Sequence, residues 1–196
     1  MSNSHQHSGL LIVLCGPSGV GKSTIARRLA ERMNVTYISS ATTRDKRPND
    51  ENAKKYDYIT REEFFRRLER DDFLEYAEVY GEYYGTPKHP CLDLLSSGKD
   101  VLLEIDVQGA LQVRWQYPNA LMIFVLPPDA ETLQQRLSDR GREGAEEIEK
   151  RFRAAKREVR MAKGSRAFDH MVINDAVERA VEEIIKTIKH KRSGGI

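Results

Sequence analysis

Residues Leu10 to Cys15, LLIVLC, form an unbroken apolar run that stops at Gly16, and from Ser23 to Met33 the pattern becomes helical. Such a short continuous run is what a strand buried on both faces of a parallel sheet presents. In the next segment Ile25, Ala26, Leu29, Ala30 and Met33 share one face while Arg27, Arg28, Glu31 and Arg32 point outward, which predicts an amphipathic helix. VTYI, from Val35, reads as a second strand. The same alternation returns later: VLLEI at 101–105, an amphipathic stretch from Gln108 to Trp115, and LMIFVL at 121–126 ended by Pro127 and Pro128. Asp129 is the expected N-cap of a helix running to Asp139. A helix over Glu146 to Ala162, the strand HMVIN at 170–174 and a helix from Val177 to Lys189 follow. The pattern predicts an α/β fold, a mostly parallel sheet with helices on both faces.

Two segments interrupt it. Residues 39–90 are polar and rich in tyrosine (Tyr56, Tyr58, Tyr76, Tyr80, Tyr83, Tyr84), as expected of an inserted subdomain. Residues 136–151, RLSDRGREGAEEIEKR, are punctuated by glycine and rich in arginine, which suits a helical lid. The chain is therefore expected to form a single domain over 10–190, with core segments 10–38 and 91–190. Residues 1–9 and 191–196 are expected to be tails.

A length of 196 residues allows one such domain with an insertion. Charged residues make up 32% of the chain but the net charge is only +2, so charges are interspersed and anion affinity should be local. With no long basic or aromatic stripe, a nucleic-acid partner is not expected. Cys15 and Cys91 are far apart, match neither a disulfide framework nor a metal cluster, and are expected to be structural thiols in a reducing cytoplasm. No apolar run approaches the roughly 20 residues that span a bilayer, and Met1 to Gly9 has no signal-peptide core. His5 and His7 in that polar start are expected to belong to the tail rather than to a metal site.

Directly after the first strand comes GPSGVGKS, the spacing G-x-x-x-x-G-K-[ST] of a phosphate-binding loop. Its glycines let backbone N–H groups approach phosphate, and the following helix aims its positive end at the same place. Gly16, Pro17, Ser18, Gly19, Val20, Gly21, Lys22, Ser23 and Thr24 are the expected ATP contacts, with Lys22 reaching the β- and γ-phosphates and Ser23 offering its hydroxyl to Mg²⁺. This sets the fold expectation as a phosphate-loop NTPase. An acidic residue at the end of a second strand commonly assists the metal, and Glu104 and Asp106 both lie near such an end. Asp106 is the expected metal-side residue, a helix N-cap being its other reading.

The acceptor is not written in that loop. SSATTRDKRP at 39–48 places Arg44 and Arg47 three apart among hydroxyls. Taken with KKYDY at 54–58, FLEYA at 73–77, YYGTP at 83–87, the DVQG region, the arginine-rich lid and FDHMVIND at 168–175, the chain resembles the guanylate kinases, nucleoside monophosphate kinases that phosphorylate GMP. The likeness runs from about 10 to 188 in unbroken order. It implies Mg²⁺-dependent transfer of the ATP γ-phosphate to GMP or dGMP, on a cytoplasmic enzyme most simply a monomer, a homo-oligomer being the alternative.

The resemblance further implies that Arg44, Arg47, Tyr56 and Tyr84 grip the GMP phosphate, matching guanidinium forks and phenols to phosphate oxygens. It assigns Glu75 to the guanine N1–H and N2–H₂ donors and Ser40 and Thr86 to O6, with Gly85 and Glu104 in the same pocket. Arg136, Arg140 and Arg151 would join Lys22 and Arg44 as catalytic residues around the transferring phosphoryl group, where positioned cations suffice and no strong base is needed. Asn174 would meet adenine, a turn or capping role being its alternative; for the tyrosines the alternative is packing, and for the arginines a solvated face. Departures are visible as well. RPNDENAKKY lacks the family's usual glycines, Arg142-Glu143-Gly144 follows the lid's RG, Glu104 stands where aspartate is frequent, and Ala176 follows Asn174-Asp175 where a second aspartate is common.

Overall fold

The computed structural model describes residues 9–46, 55–139 and 144–194. In chain order they form β1 (Leu11–Cys15), α1 (Lys22–Arg32), β2 (Val35–Tyr37), β3 (Ser40–Thr42), β4 (Tyr56–Tyr58), α2 (Arg61–Glu69), β5 (Phe73–Val79) and β6 (Glu82–Pro87). Then come α3 (Lys88–Ser96), β7 (Asp100–Glu104), α4 (Val107–Gln116), β8 (Leu121–Leu126), α5 (Ala130–Ser138), α6 (Ala145–Ser165), β9 (His170–Ile173) and α7 (Val177–Arg192).

The large sheet has five parallel strands in the order β2-β7-β1-β8-β9. Its central strand explains the LLIVLC run. Leu11, Val13 and Cys15 point into one core with Val101 and Leu103 of β7, Val107, Ala110 and Val113 of α4 and Ala162 of α6. Ile12 and Leu14 point into the other, against Ile25 and Leu29 of α1 and Ala180, Val181, Ile184 and Ile188 of α7. Both faces are covered, so no polar position could be tolerated. Cys15 and Cys91 are free and buried, as expected, and burial pushes the Cys91 thiol up to about 11. Among the described residues no helix is long and apolar enough to cross a membrane.

Asp129 caps α5 as the sequence predicts, accepting from Thr132 N at 2.6 Å. The last helix runs past the expected Lys189 to Arg192, which ion-pairs with Asp100, a carboxylate only 2% exposed. That pairing draws part of the expected tail into the helix.

A second, four-stranded sheet, order β4-β3-β6-β5, is mixed: β3 runs parallel to β4 and antiparallel to β6, and β5 antiparallel to β6. All of its strands come from the segment 39–90. One face is apolar and packs on α2, where Ala41, Phe64 and Phe73 are buried together and the Phe64 and Phe73 rings stack at 4.6 Å. Phe64→Ala is expected to cost about 3–5 kcal/mol, as for other buried aromatics. Urea unfolding measures it, and a loss below about 1 kcal/mol would contradict this packing account.

Candidate active site

In a parallel sheet the ligand crevice lies beyond the carboxyl ends of the strands, and the chemistry-bearing residues gather there. The loop from Gly16 to Gly21 leaves β1 and feeds α1, whose N-cap Gly21 has φ 98°. That left-handed geometry suits glycine, and a Cβ there would also stand 2.5 Å from Asn174 Nδ2. Lys22 Nζ folds back on its own loop, donating to the carbonyls of Gly16 and of Pro17, the latter at 3.0 Å. Asn174, 2% exposed, donates from Nδ2 to the Val20 carbonyl at 2.8 Å. Its buried Oδ1 has no hydrogen-bond partner among the described residues. Arg136 of α5 donates to the carbonyls of Asn174 at 3.0 Å and Val20 at 3.4 Å, so the loop is braced from two sides.

Glu104 ends β7 and is the hub of the donor side. Its Oε1 accepts from the Ser23 hydroxyl at 2.5 Å, and its Oε2 accepts from Lys55 Nζ at 2.9 Å and Tyr37 OH at 3.2 Å. Burial raises its pKa, but Lys55, Lys22 and the Ser23 hydroxyl outweigh that and hold it below the ordinary range. Hydroxyl and ionised carboxylate together are the hard oxygen donors that suit Mg²⁺. Asp106, the residue expected on the metal side, is turned to other partners. It caps α4, its Oδ1 accepting from Gly109 N at 2.9 Å and its Oδ2 from Gln108 Nε2 at 3.0 Å.

The acceptor-side residues share one face of the small sheet because strand neighbours in register point the same way. Ser40 pairs with Tyr56, Thr42 with Tyr58 and Tyr84, and Glu75 with Thr86. Alternate positions face α2, so the polar face is the inevitable complement of the apolar one. Arg44 follows β3, with its guanidinium over the Tyr56 and Tyr58 rings at 5.3 and 5.5 Å and a hydrogen bond to Tyr58 OH at 3.1 Å. Tyr56 and Tyr84 meet edge-on at 5.8 Å. Gly85 is not on this face: a Cβ there would meet the Phe73 ring at 2.7 Å, which leaves only its backbone for any ligand. Arg47, and the whole segment 47–54, lies outside the described residues.

At the end of this face Glu75 is 4% exposed, with Oε1 accepting from the Thr86 hydroxyl at 2.5 Å. Burial, reinforced by nearby Asp106 and opposed by Thr86, pushes its pKa up to about 7. The floor beneath it is Gly109, where a Cβ would stand 2.0 Å from Glu75 Oε2. Gly109→Ala must therefore displace this carboxylate. Roughly a 10–100-fold rise in KM for an acceptor read by Glu75 is expected, with KM for ATP unchanged, because small misplacements in a site are costly. Equal changes in both constants, measured by steady-state kinetics, would contradict it.

Of the lid arginines, Arg136 rests on the donor loop and Arg151 of α6 lies over the Tyr80 ring at 5.6 Å, at the tip of the β5–β6 hairpin. Arg140, with Arg142 and Glu143, lies outside the described residues.

The guanylate kinase family model matches residues 8–191. The chain belongs to the guanylate kinase family. A guanylate kinase of Clostridium tetani is 44% identical over 184 residues, 94% of this chain and 87% of the relative. One of Caldanaerobacter subterraneus subsp. tengcongensis is 48% identical over 182 residues, covering 92% and 87%. The crystal structure of guanylate kinase from Anaplasma phagocytophilum superposes with a TM-score of 0.77 at 29% identity, covering 94% of this chain and 87% of that one.

Three residues at this guanylate-kinase site escaped the sequence reading. Tyr37 lies in VTYI and Lys55 in KKYDY, but both meet Glu104 only through tertiary contact, so nothing local assigns them to that carboxylate. Glu158 of α6 is a carboxylate that burial pushes up to about 7, with Lys22 opposing and Asp106 adding to the shift. A signal for it did exist: it stands seven residues after Arg151, on the same helical face.

Proposed function

We propose that this guanylate-kinase-family protein transfers the γ-phosphoryl group of ATP to GMP or dGMP. An oxygen of the acceptor phosphate forms the new bond to γ-phosphorus as the bond to the β–γ bridging oxygen breaks, giving GDP (or dGDP) and ADP. The observation that supports this reading best, beyond family membership, is the polar face of the small sheet. It has phosphate-gripping groups at one end and a buried carboxylate at the other.

On this reading Arg44, Tyr56 and Tyr84, with Arg47, hold the acceptor phosphate. Glu75 accepts from guanine N1–H and N2–H₂. Thr86 orients that carboxylate through the 2.5 Å bond it already makes, which leaves Ser40 to donate to O6. Adenine presents no such pair of donors, and leaving Glu75 unpaired costs roughly 1–3 kcal/mol or more. Lys22 and the N-terminus of α1 receive the ATP phosphates, and Arg136, Arg140 and Arg151 approach the transferring group from the lid. Asn174 acts as a brace for the phosphate loop, because its Nδ2 donates to the Val20 carbonyl.

Ser23 and Glu104 would hold Mg²⁺, which neutralises phosphate charge when bound. This exchanges the expected roles of two acids. Glu104 serves the donor side because it bonds Ser23, and Asp106 serves the acceptor side because it caps α4 beside Glu75.

The test is product analysis with ATP, Mg²⁺ and GMP. ADP and GDP should appear in equal amounts, and chelation of Mg²⁺ should stop both. ADP and inorganic phosphate without GDP would overturn the proposal.

A further inference from the structure

Lys55 belongs to neither expected half of the site, yet it is joined to both, by an ion pair to Glu104 and by the chain to Tyr56. It immediately precedes β4, so its neighbour Tyr56 lies on the acceptor face, edge-on to Tyr84. Its own ammonium turns the other way, to Glu104 Oε2 at 2.9 Å, and lies 5.5 Å from the Tyr37 ring. Glu104 in turn holds Ser23, so Lys55 is two hydrogen bonds from the start of α1. Both side chains are largely enclosed, 19% exposed for Lys55 and 11% for Glu104.

This is unlike the other ion pairs of the small sheet, such as Arg67 with Asp57 and Glu63, which lie at its surface and bridge its own elements. A static tie between two sheets is better served by an arginine fork. Lysine is a compact point charge on a flexible stem that can pass from one anion to another. Glu104 carries three donors here while Lys22 faces it as well. Phosphoryl transfer gathers several negative charges between donor and acceptor, and each positioned cation there stabilises the charge spread over the moving group.

We propose that Lys55 is a further catalytic residue, held on Glu104 in the ligand-free protein and delivered to the phosphates where donor and acceptor meet. The proposal rests on the GMP-kinase reading. It gives the protein two phosphate-binding lysines, Lys22 at the start of α1 beside the large sheet and Lys55 just before β4 of the small one.

The experiment compares wild type, Lys55→Met and Lys55→Arg in the full chain, by turnover and by affinity for an adenosine–guanosine pentaphosphate that bridges both sites. Lys55→Met is expected to lower kcat about 10²-fold. Its affinity for the bridged compound should fall by a similar factor, while affinity for GMP alone changes less than about threefold. Lys55→Arg, which keeps the charge on a bulkier and stiffer head, should recover only part of both losses even if the methionine variant is less stable. Wild-type turnover and bridged-compound affinity in Lys55→Met would overturn the Lys55 assignment alone. A wild type inert toward GMP would overturn the underlying reading and the assignment with it.

Discussion

Lys22→Ala is expected to lower kcat by about 10³-fold or more, the scale on which single charge-stabilising groups act in phosphoryl transfer. The Lys22 ammonium is hydrogen-bonded to the carbonyls of Gly16 and Pro17, which carry only partial charge, with the Glu104 and Glu158 carboxylates acting on it through space. The β- and γ-phosphates offer full charge, and more negative charge builds on the β–γ bridging oxygen as its bond to γ-phosphorus lengthens, so a Lys22 placed there would gain most in the transition state. KM for GMP should move little, since the acceptor face lies on the other sheet. Coupled detection of ADP with GMP as acceptor measures this. A variant retaining more than a tenth of wild-type turnover would contradict the assignment of the donor loop.

Glu75→Gln should lower kcat/KM for GMP by roughly 10²–10³-fold, because the amide keeps one acceptor but turns a donor toward the guanine N–H groups. The same substitution should stabilise the ligand-free protein at high pH. Glu75 titrates at about 7 in the fold, above the usual carboxylate range, so between those limits the folded protein binds the proton more tightly than the unfolded chain. The stability this provides is complete in acid and is lost as pH rises through about 7. At pH 8 the buried charge is a burden that glutamine does not carry, and the variant should melt about 2–6 °C above wild type, with the gap closing near pH 5. A variant that melts below wild type at pH 8 would contradict the account of this carboxylate.

Parts of this architecture are legible along the chain and parts are not, for physical reasons. LLIVLC announces a strand covered on both sides, and Ile12 and Leu14 do face the opposite core from Leu11, Val13 and Cys15. Strands of three residues such as Ser40–Thr42 and Tyr56–Tyr58 carry too few positions for a period to show. The small sheet therefore appears in the sequence only as a tyrosine-rich interruption. Its division into a face against Phe64 and a face bearing Ser40, Tyr56, Tyr84 and Thr86 emerges only from the register.

The two acids after β7 show the same limit. Glu104 and Asp106 are two apart near a strand end, and spacing alone allows either to serve the donor loop. What separates them is that the chain turns into α4 between them, which makes Asp106 a cap and leaves Glu104 facing Ser23. The phosphate loop, by contrast, is legible because its function resides in backbone geometry that local sequence sets directly. Gly85 shows the converse, a motif neighbour of Thr86 that alternation turns to the opposite face.

The most direct test of the central claim is the ratio of kcat/KM for GMP to that for AMP, measured side by side with saturating Mg²⁺·ATP. Glu75, sealed against Gly109 and held by Thr86, predicts a ratio of about 10³ or more, with CMP and UMP as poor as AMP. Equal turnover of AMP and GMP would contradict it.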